Sequence, residues 1–174
     1  MPDLLTHYVS SVLVARTRLG LKESLLLGLV GLLPDIDVLL RVHRWTTHSI
    51  ILTLAVATPL LALTYKFRRR YFGVAVLAVV IYLLHLVLDV FTGPTPVLHP
   101  LAGSLYVKLE VNGQYSDTGI TLAPRVLVEV RKPDFTPKPA IEGSIVSSMG
   151  ITLALVTIPV LVLDHLSEKR RVKR

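Results

Sequence analysis

The sequence predicts an all-α membrane protein: a multi-helix transmembrane bundle carrying a small β-hairpin appendage. Three observations predict it. The chain has 174 residues, 52% of them hydrophobic, with a mean hydropathy of +0.61, which is high for a soluble domain. The apolar residues are gathered into blocks, and Ser49–Tyr65, Phe72–Phe91 and Ile145–Leu163 approach bilayer length. A spanning helix needs about 20 apolar residues, with about 17 as the lower limit. Between Ser104 and Arg131 the pattern changes from blocks to alternation, the period of a strand. A soluble bundle of buried helices is the alternative.

The chain divides into three parts on this reading: a helical membrane core over 1–103, an appendage and linker over 104–140, and a last span with a basic tail over 141–174. Leu4–Ala15 is apolar but short; as a helix it reaches only ~18 Å. Arg16, Arg18 and Lys22 follow it, then Leu25–Leu33, where Gly28 and Gly31 permit close helix approach. Pro34 marks a break, so these two segments are expected to form a helical hairpin inside the bundle. Thr46 or Thr47 is placed to cap the next helix, which runs to Tyr65 with Pro59 inside it. Lys66–Arg70 ends it, and the following helix spans Phe72–Phe91. Thr92–Pro100 contains three prolines and a glycine and cannot be helical. Leu105–Val111 and Val126–Val130 alternate, with Asn112-Gly113 as a turn signal, so two or three strands are expected outside the hydrocarbon. Lys132–Pro139 reads as a linker, and Glu168–Arg174 as a solvated basic tail.

Charge sets the orientation. Net charge is +7. Twelve of the 19 Lys and Arg residues fall in three short segments, after Ala15, Tyr65 and Leu163. By the positive-inside rule these are cytoplasmic, which places the N-terminus and the appendage outside and the C-terminus inside an integral protein of the cytoplasmic membrane. The basic balance is thus a topology signal, and no nucleic-acid partner is expected. The chain has no cysteine, which excludes disulfides and thiolate metal sites. Met-Pro-Asp-Leu-Leu lacks the basic flank of a leader, so no cleavage is expected.

The same topology brings the ionisable residues to one level. His7 begins the first segment and Asp35 and Asp37 end the second. His43 and His48 precede the third, and His85 and Asp89 close the fourth, with His99 just beyond. Only His165 falls at the other end. Carboxylates and imidazoles are ligands for zinc, manganese or iron. Beside hydrocarbon they are costly unless they pair with one another or with a metal. His85 and Asp89 are four apart and share a helix face; a hydrogen bond made only for packing is the plain alternative. Asp35 and Asp37 repel unless a cation lies between them. Read as extended chain, alternate residues face opposite ways, so Asp35 is the ligand and Asp37 a ligand or its support. His48 is read as ligand, and His43 as ligand or proton donor. Arg44 can bind phosphate bidentately or simply snorkel to the interface. Trp45 reads as an interface anchor, and Asp117 and His99 are weak candidates.

The blocks Leu33-Pro34-Asp35-Ile36-Asp37, His43-Arg44-Trp45-Thr46-Thr47-His48-Ser49, Tyr82-Leu-Leu-His85-Leu-Val-Leu-Asp89 and Thr92-Gly-Pro-Thr-Pro resemble the YdjM-type family over roughly residues 4 to 101. These are inner-membrane-associated, metal-dependent hydrolases, sometimes labelled LexA-binding. The family often has a histidine directly after the second aspartate; here Val38 stands there, so one ligand is missing or comes from elsewhere. A more distant similarity to zinc-dependent phospholipase C and P1-type nucleases implies phosphoester hydrolysis. The resemblance therefore implies a metal-dependent hydrolase at the outer membrane face, with His7, Asp35, His48, His85 and Asp89 as ligands and Asp37, His43 and Arg44 as catalytic residues. Zinc is the first choice of ion and manganese the second. The substrate is expected to be a membrane lipid or another small molecule, and a phosphoester first. The rival class is a non-enzymatic metal-binding or metal-transport protein. Transport sites tend to lie at the midplane between inverted repeats, and no repeat is visible here.

Overall fold

The computed structural model describes residues 3–42, 44, 46–101, 105–117, 119–131, 136–139 and 145–172. Five α-helices occur among them: α1 (Leu4–Arg16), α2 (Leu21–Gly28), α3 (Ile50–Phe67), α4 (Phe72–Thr92) and α5 (Ser148–Val172). Strands β1 (Leu105–Ser116) and β2 (Gly119–Val130) form one antiparallel ribbon. Three stretches are long and apolar enough to cross a membrane: Ile50–Phe67, Arg69–Thr92 and Ser148–Ser167. They coincide closely with the three apolar blocks of the sequence. The last helix runs further than expected, through the residues read as a tail.

The interior mixes a small apolar core, with Val12, Ala15, Ile81 and Leu86, and an unusual number of polar side chains. Asp3, Thr6, His7, Ser11, Ser24, Asp37, His48, His85 and Asp89 are buried, while Leu26, Leu39, Leu60, Leu63, Val156 and Leu163 lie exposed. Apolar side chains on the outside are what a hydrocarbon solvent selects, and polar ones then cluster where they find partners.

α1 is the centre of the packing. It contacts α2, α4 and α5. Gly28 fits against Val12 and Tyr8 of α1, and Gly31 against Ser11; a Cβ on Gly31 would lie 1.9 Å from Ser11 Oγ. The short first and second segments thus form the expected hairpin because glycine lets them approach. α5 is fastened to α1 at both ends. The buried Asp3 carboxylate caps α1 by accepting from Thr6 N and also accepts from Ser147 N, each at 2.6 Å. At the far end Arg16 Nε pairs with Asp164 at 2.8 Å. Asp3 is held below the usual carboxylate range: burial opposes this, but the hydrogen bonds from Ser147 and Thr6 outweigh it.

Several local expectations are corrected. After α2 the chain tightens into 3-10 turns over Leu29–Leu32 and Pro34–Leu40, where an extended stretch was expected around Asp35 and Asp37. Proline is accommodated at the first position of that turn, where its missing N–H costs nothing. Arg41 closes the turn in the left-handed conformation. The cap of α3 is Ser49, whose side chain accepts from Leu52 N at 3.2 Å; Thr46 and Thr47 belong to a preceding 3-10 turn. Asn112-Gly113 is not the ribbon's turn. Asn112 pairs with Ala123 and Gly113 with Leu122 in mid-strand, and the ribbon reverses between Ser116 and Gly119. A longer register pairs more backbone groups and places Leu105, Val107, Leu109 and Val111 on the same face as Val126, Val128 and Val130. The ribbon is rooted by reciprocal hydrogen bonds between Thr95 and Val107, both 2.9 Å, just beyond the end of α4.

Candidate metal centre

Four elements converge at one end of the helices. α1 brings His7, the 3-10 turn over Pro34–Leu40 brings Asp35 and Asp37, and the turn before α3 brings His48. The last turns of α4 bring His85 and Asp89. Asp35, His48, His85 and Asp89 each offer one ligand atom, and the four atoms lie within 4.8 Å of one another.

The spacings are those of a cluster that could hold a metal ion. His48 Nε2 lies 3.6 Å from Asp35 Oδ1 and 3.3 Å from Asp89 Oδ2, and His85 Nε2 lies 3.6 Å from Asp35 Oδ1. A charge-assisted hydrogen bond would close to ~2.7–2.9 Å. Zinc bonds of ~2.0–2.2 Å at tetrahedral angles put neighbouring ligand atoms ~3.3–3.6 Å apart. Three of the six separations fall in that range, and all four atoms lie within 4.8 Å of one another, so the cluster could close around one ion.

Both imidazoles are held in the orientation a metal needs. His85 Nδ1 is 2.7 Å from the carbonyl oxygen of Gly31, which can only accept, so Nδ1 carries the proton and Nε2 offers its lone pair to the centre. His48 Nδ1 lies 3.2 Å from Asp37 Oδ2 and 3.1 Å from Thr47 Oγ1, and Thr47 in turn donates to Asp37 at 3.0 Å. That is a carboxylate–histidine arrangement with Nε2 again facing inward. The 3-10 geometry explains how two aspartates in one short turn divide the work. At 3.0 residues per turn, positions two apart point ~240° away from each other. Asp35 accordingly reaches the centre while Asp37 supports His48 from behind.

Burial disfavours a charged His48, but hydrogen bonds to Asp35, Asp37 and Asp89 outweigh that and raise it to about 10. Burial likewise disfavours ionised Asp35, and the contacts to His48 and His85 override it, holding the carboxylate well below its usual range. With no cation, a proton on His48 balances part of the carboxylate charge.

The remaining candidates fall around this core. His7 is buried and stacks on His85, with ring centroids 3.7 Å apart and planes 20° apart, and its Nε2 lies 3.5 Å from Asp89 Oδ1. Neither ring nitrogen has a hydrogen-bond partner among the described residues. Asp89 thus turns one oxygen toward His48 and the other toward His7. Arg44 Nε donates to Asp89 Oδ2 at 3.0 Å, and its terminal nitrogens donate to Pro94 O at 3.2 Å and Thr92 Oγ1 at 3.0 Å. A Cβ on Gly93 would strike Arg44 Nη1 at 2.1 Å, so glycine is what lets the guanidinium lie across the end of α4. His43 and Trp45 lie outside the described residues. His99 contributes its carbonyl as acceptor for Ser49 Oγ. Asp117 is exposed at the ribbon's turn, and His165 lies on α5 next to Asp164, whose partner Arg16 marks the opposite end.

Two contributors were not visible in the sequence. The Gly31 carbonyl orients His85, and Tyr82 donates to the Thr47 carbonyl at 2.7 Å, tying the His48 turn to α4. A main-chain acceptor carries no residue signature, whereas Tyr82 stands one helical turn before His85 and could have been found by that spacing.

A protein-family model described as YdjM inner membrane protein matches residues 1–163. No curated protein and no solved structure matches.

Proposed function

The chain belongs to the YdjM inner membrane protein family, and from that premise we propose that it is a metal-dependent hydrolase acting on a phosphoester or lipid-like substrate at the outer face of the membrane. The observation that carries this reading is the Asp35–His48–His85–Asp89 cluster, whose ligand atoms lie within 4.8 Å of one another with both histidine Nε2 atoms presented inward.

The donor set fits a divalent ion, zinc first and manganese second: two carboxylates, two neutral-capable imidazoles and no thiolate. Such an ion, when bound, would polarise the scissile group and acidify an attacking water. The chain's own residues do the rest. Asp35 is the most accessible of the four, its side chain 10% exposed against 1% or less for the others, so substrate and water enter on its side. Its carboxylate would hold the ion on the side where the attacking water arrives. Asp37 and the Gly31 carbonyl hold the two imidazoles, and Arg44 holds Asp89. His7, against Asp89 Oδ1, is a ligand for a second ion or a proton donor to the leaving group. Arg44 therefore acts as a positioning residue, its donors turned toward Asp89, Thr92 and Pro94 and away from an incoming phosphate.

The test is metal-loaded protein in detergent offered an aryl phosphodiester. Turnover that a chelator abolishes, that His48→Ala removes and that His165→Ala spares supports the proposal. Chelator-sensitive turnover of ester or amide substrates alone would replace the phosphoester by another class. No turnover in any panel, together with metal flux across proteoliposomes, would replace the hydrolase by a transporter.

A further inference from the structure

Between α3 and α4 runs a cleft of about 760 Å³ that the metal cluster does not use. Its upper end is lined by Thr46, Thr47 and Tyr82, and its body by apolar side chains including Val56, Leu60, Ala75 and Val79. The polar end adjoins the supports of the centre: Thr47 hydrogen-bonds Asp37, which holds His48, and Tyr82 hydrogen-bonds the Thr47 carbonyl. From Leu52 to Thr64 the cleft follows α3 for ~18 Å. Half of a ~30 Å hydrocarbon core is ~15 Å, the reach of one acyl chain. Only Ala57 of α3 is buried, so the cleft lies open along a helix long enough to cross a membrane.

The geometry points to this cleft as the binding site for a single hydrocarbon tail of the substrate, which makes the substrate a lipid whose polar ester lies at the Thr46, Thr47 and Tyr82 end, beside His48, while its chain lies between α3 and α4. This rests on the hydrolase reading. A chain of lipid is the occupant that matches the cleft's composition, its length and its continuity with the centre. A soluble phosphoester would use only the polar end and leave the body of the cleft without a ligand.

The two alanines of α4 that line the cleft form a ruler. Ala78 stands ~6 Å and Ala75 ~10 Å below Tyr82 along the helix. Substitution by Phe at either should stop the chain at its own depth. The experiment uses metal-loaded protein in detergent and alkyl aryl phosphodiesters of increasing chain length. For the short, water-soluble members kcat/KM should rise about two- to fourfold per methylene as each enters the cleft. Ala75→Phe should shorten the preferred chain and Ala78→Phe should shorten it further, with the shortest substrate turned over as before and metal content unchanged. A second readout needs no turnover: an alkyl phosphonate carrying a diazirine at its chain end should photolabel α3 and α4, more than the headless diazirine alkane does, and Ala78→Phe should remove that label.

Turnover that is chelator-sensitive but indifferent to chain length and to both plugs would overturn the tail site and leave the hydrolase reading standing. Equal labelling by phosphonate and alkane would overturn it as well, since any bilayer lipid then fills the cleft. Cross-links joining α3 of two copies would assign the cleft to self-association and overturn it too. Headgroup-dependent labelling without any turnover would sustain the tail site while removing the hydrolase.

Discussion

Substituting Gly31 by alanine should damage the metal centre although Gly31 touches no metal. The residue does two things at once. Its lack of a side chain admits Ser11 of α1, and its carbonyl accepts from His85 Nδ1 at 2.7 Å. An alanine Cβ would stand 1.9 Å from Ser11 Oγ and 2.8 Å from Ser11 Cβ, distances that no real contact tolerates. α1 and the 3-10 turn must separate, and the carbonyl moves with its peptide. Overpacking of this kind costs ~1–3 kcal/mol of stability. Losing the orienting hydrogen bond of a ligand histidine costs ~10- to 100-fold in metal affinity, or ~1.4–2.8 kcal/mol. Zinc affinity measured by competition with a chromogenic chelator, beside the thermal midpoint in detergent, separates the two effects. Ser11→Gly added to Gly31→Ala removes both clashing atoms and should restore affinity. It should restore the midpoint only in part, because glycine inside a helix costs ~1 kcal/mol. Unchanged affinity in Gly31→Ala, or a double variant as weak as the single one, would refute the link between this packing contact and the centre.

Other perturbations report on other supports. Arg44→Ala should lower zinc affinity by ~10- to 100-fold by freeing Asp89, and Arg44→Lys should recover part of it, since lysine keeps the charge but loses the fork; chelator competition measures both. A reporter fused after Arg174 should be cytoplasmic and one inserted at Asp117, in the ribbon's turn, should be on the opposite side; finding both on one side would defeat the orientation drawn from the basic loops. For metal-free protein the sign follows from His48, whose folded value of about 10 exceeds its ordinary 6.5. Its contribution to stability is complete below pH 6.5 and disappears as pH rises through about 10, so the chemical-denaturation midpoint should fall across that interval in His48 protein and not in His48→Ala. Zinc must displace the same proton, so affinity should rise with pH up to about 10, by up to tenfold per unit.

The sequence made the large features legible through solvent choice. A bilayer demands long apolar helices with internally satisfied backbones, and the three helices long and apolar enough to cross one follow the apolar blocks to within about four residues at each end. The convergence of His7, Asp35, His48, His85 and Asp89 was legible for a related reason. Antiparallel helices with their basic ends aligned leave their other ends at one level. What stayed hidden was local and tertiary. Whether Asp35 and Asp37 lie on extended chain or a 3-10 turn depends on what Pro34–Leu40 packs against, and either conformation turns the two side chains to different sides. Asn112-Gly113 is a strong turn signal taken alone, yet a twelve-residue register with the reversal four residues later pairs more backbone and keeps the apolar side chains together. Arg44 read equally as a phosphate binder or an interface residue, because its spacing says nothing of where its fork points. The end of α4, with Asp89, Thr92 and the Pro94 carbonyl, is a set of acceptors that only the fold assembles.

Charge accounting explains why these groups belong together. Asp35, Asp37 and Asp89 are three carboxylates at 10% exposure or less, packed where water is scarce. Among the described residues at the cluster, Arg44 is the fixed cation, so with neutral imidazoles the balance stands at −2. Removing ions from water costs several kcal/mol each unless their charge is matched. A proton on His48 halves the deficit, and a divalent ion cancels it while releasing that proton. A monovalent ion would leave the deficit half corrected, and a trivalent one would overshoot. The same arithmetic assigns Arg44 its work. Placed on Asp89, it removes one negative charge that a phosphoester would otherwise meet on approach, so an anionic substrate faces a neutral centre instead of a repulsive one.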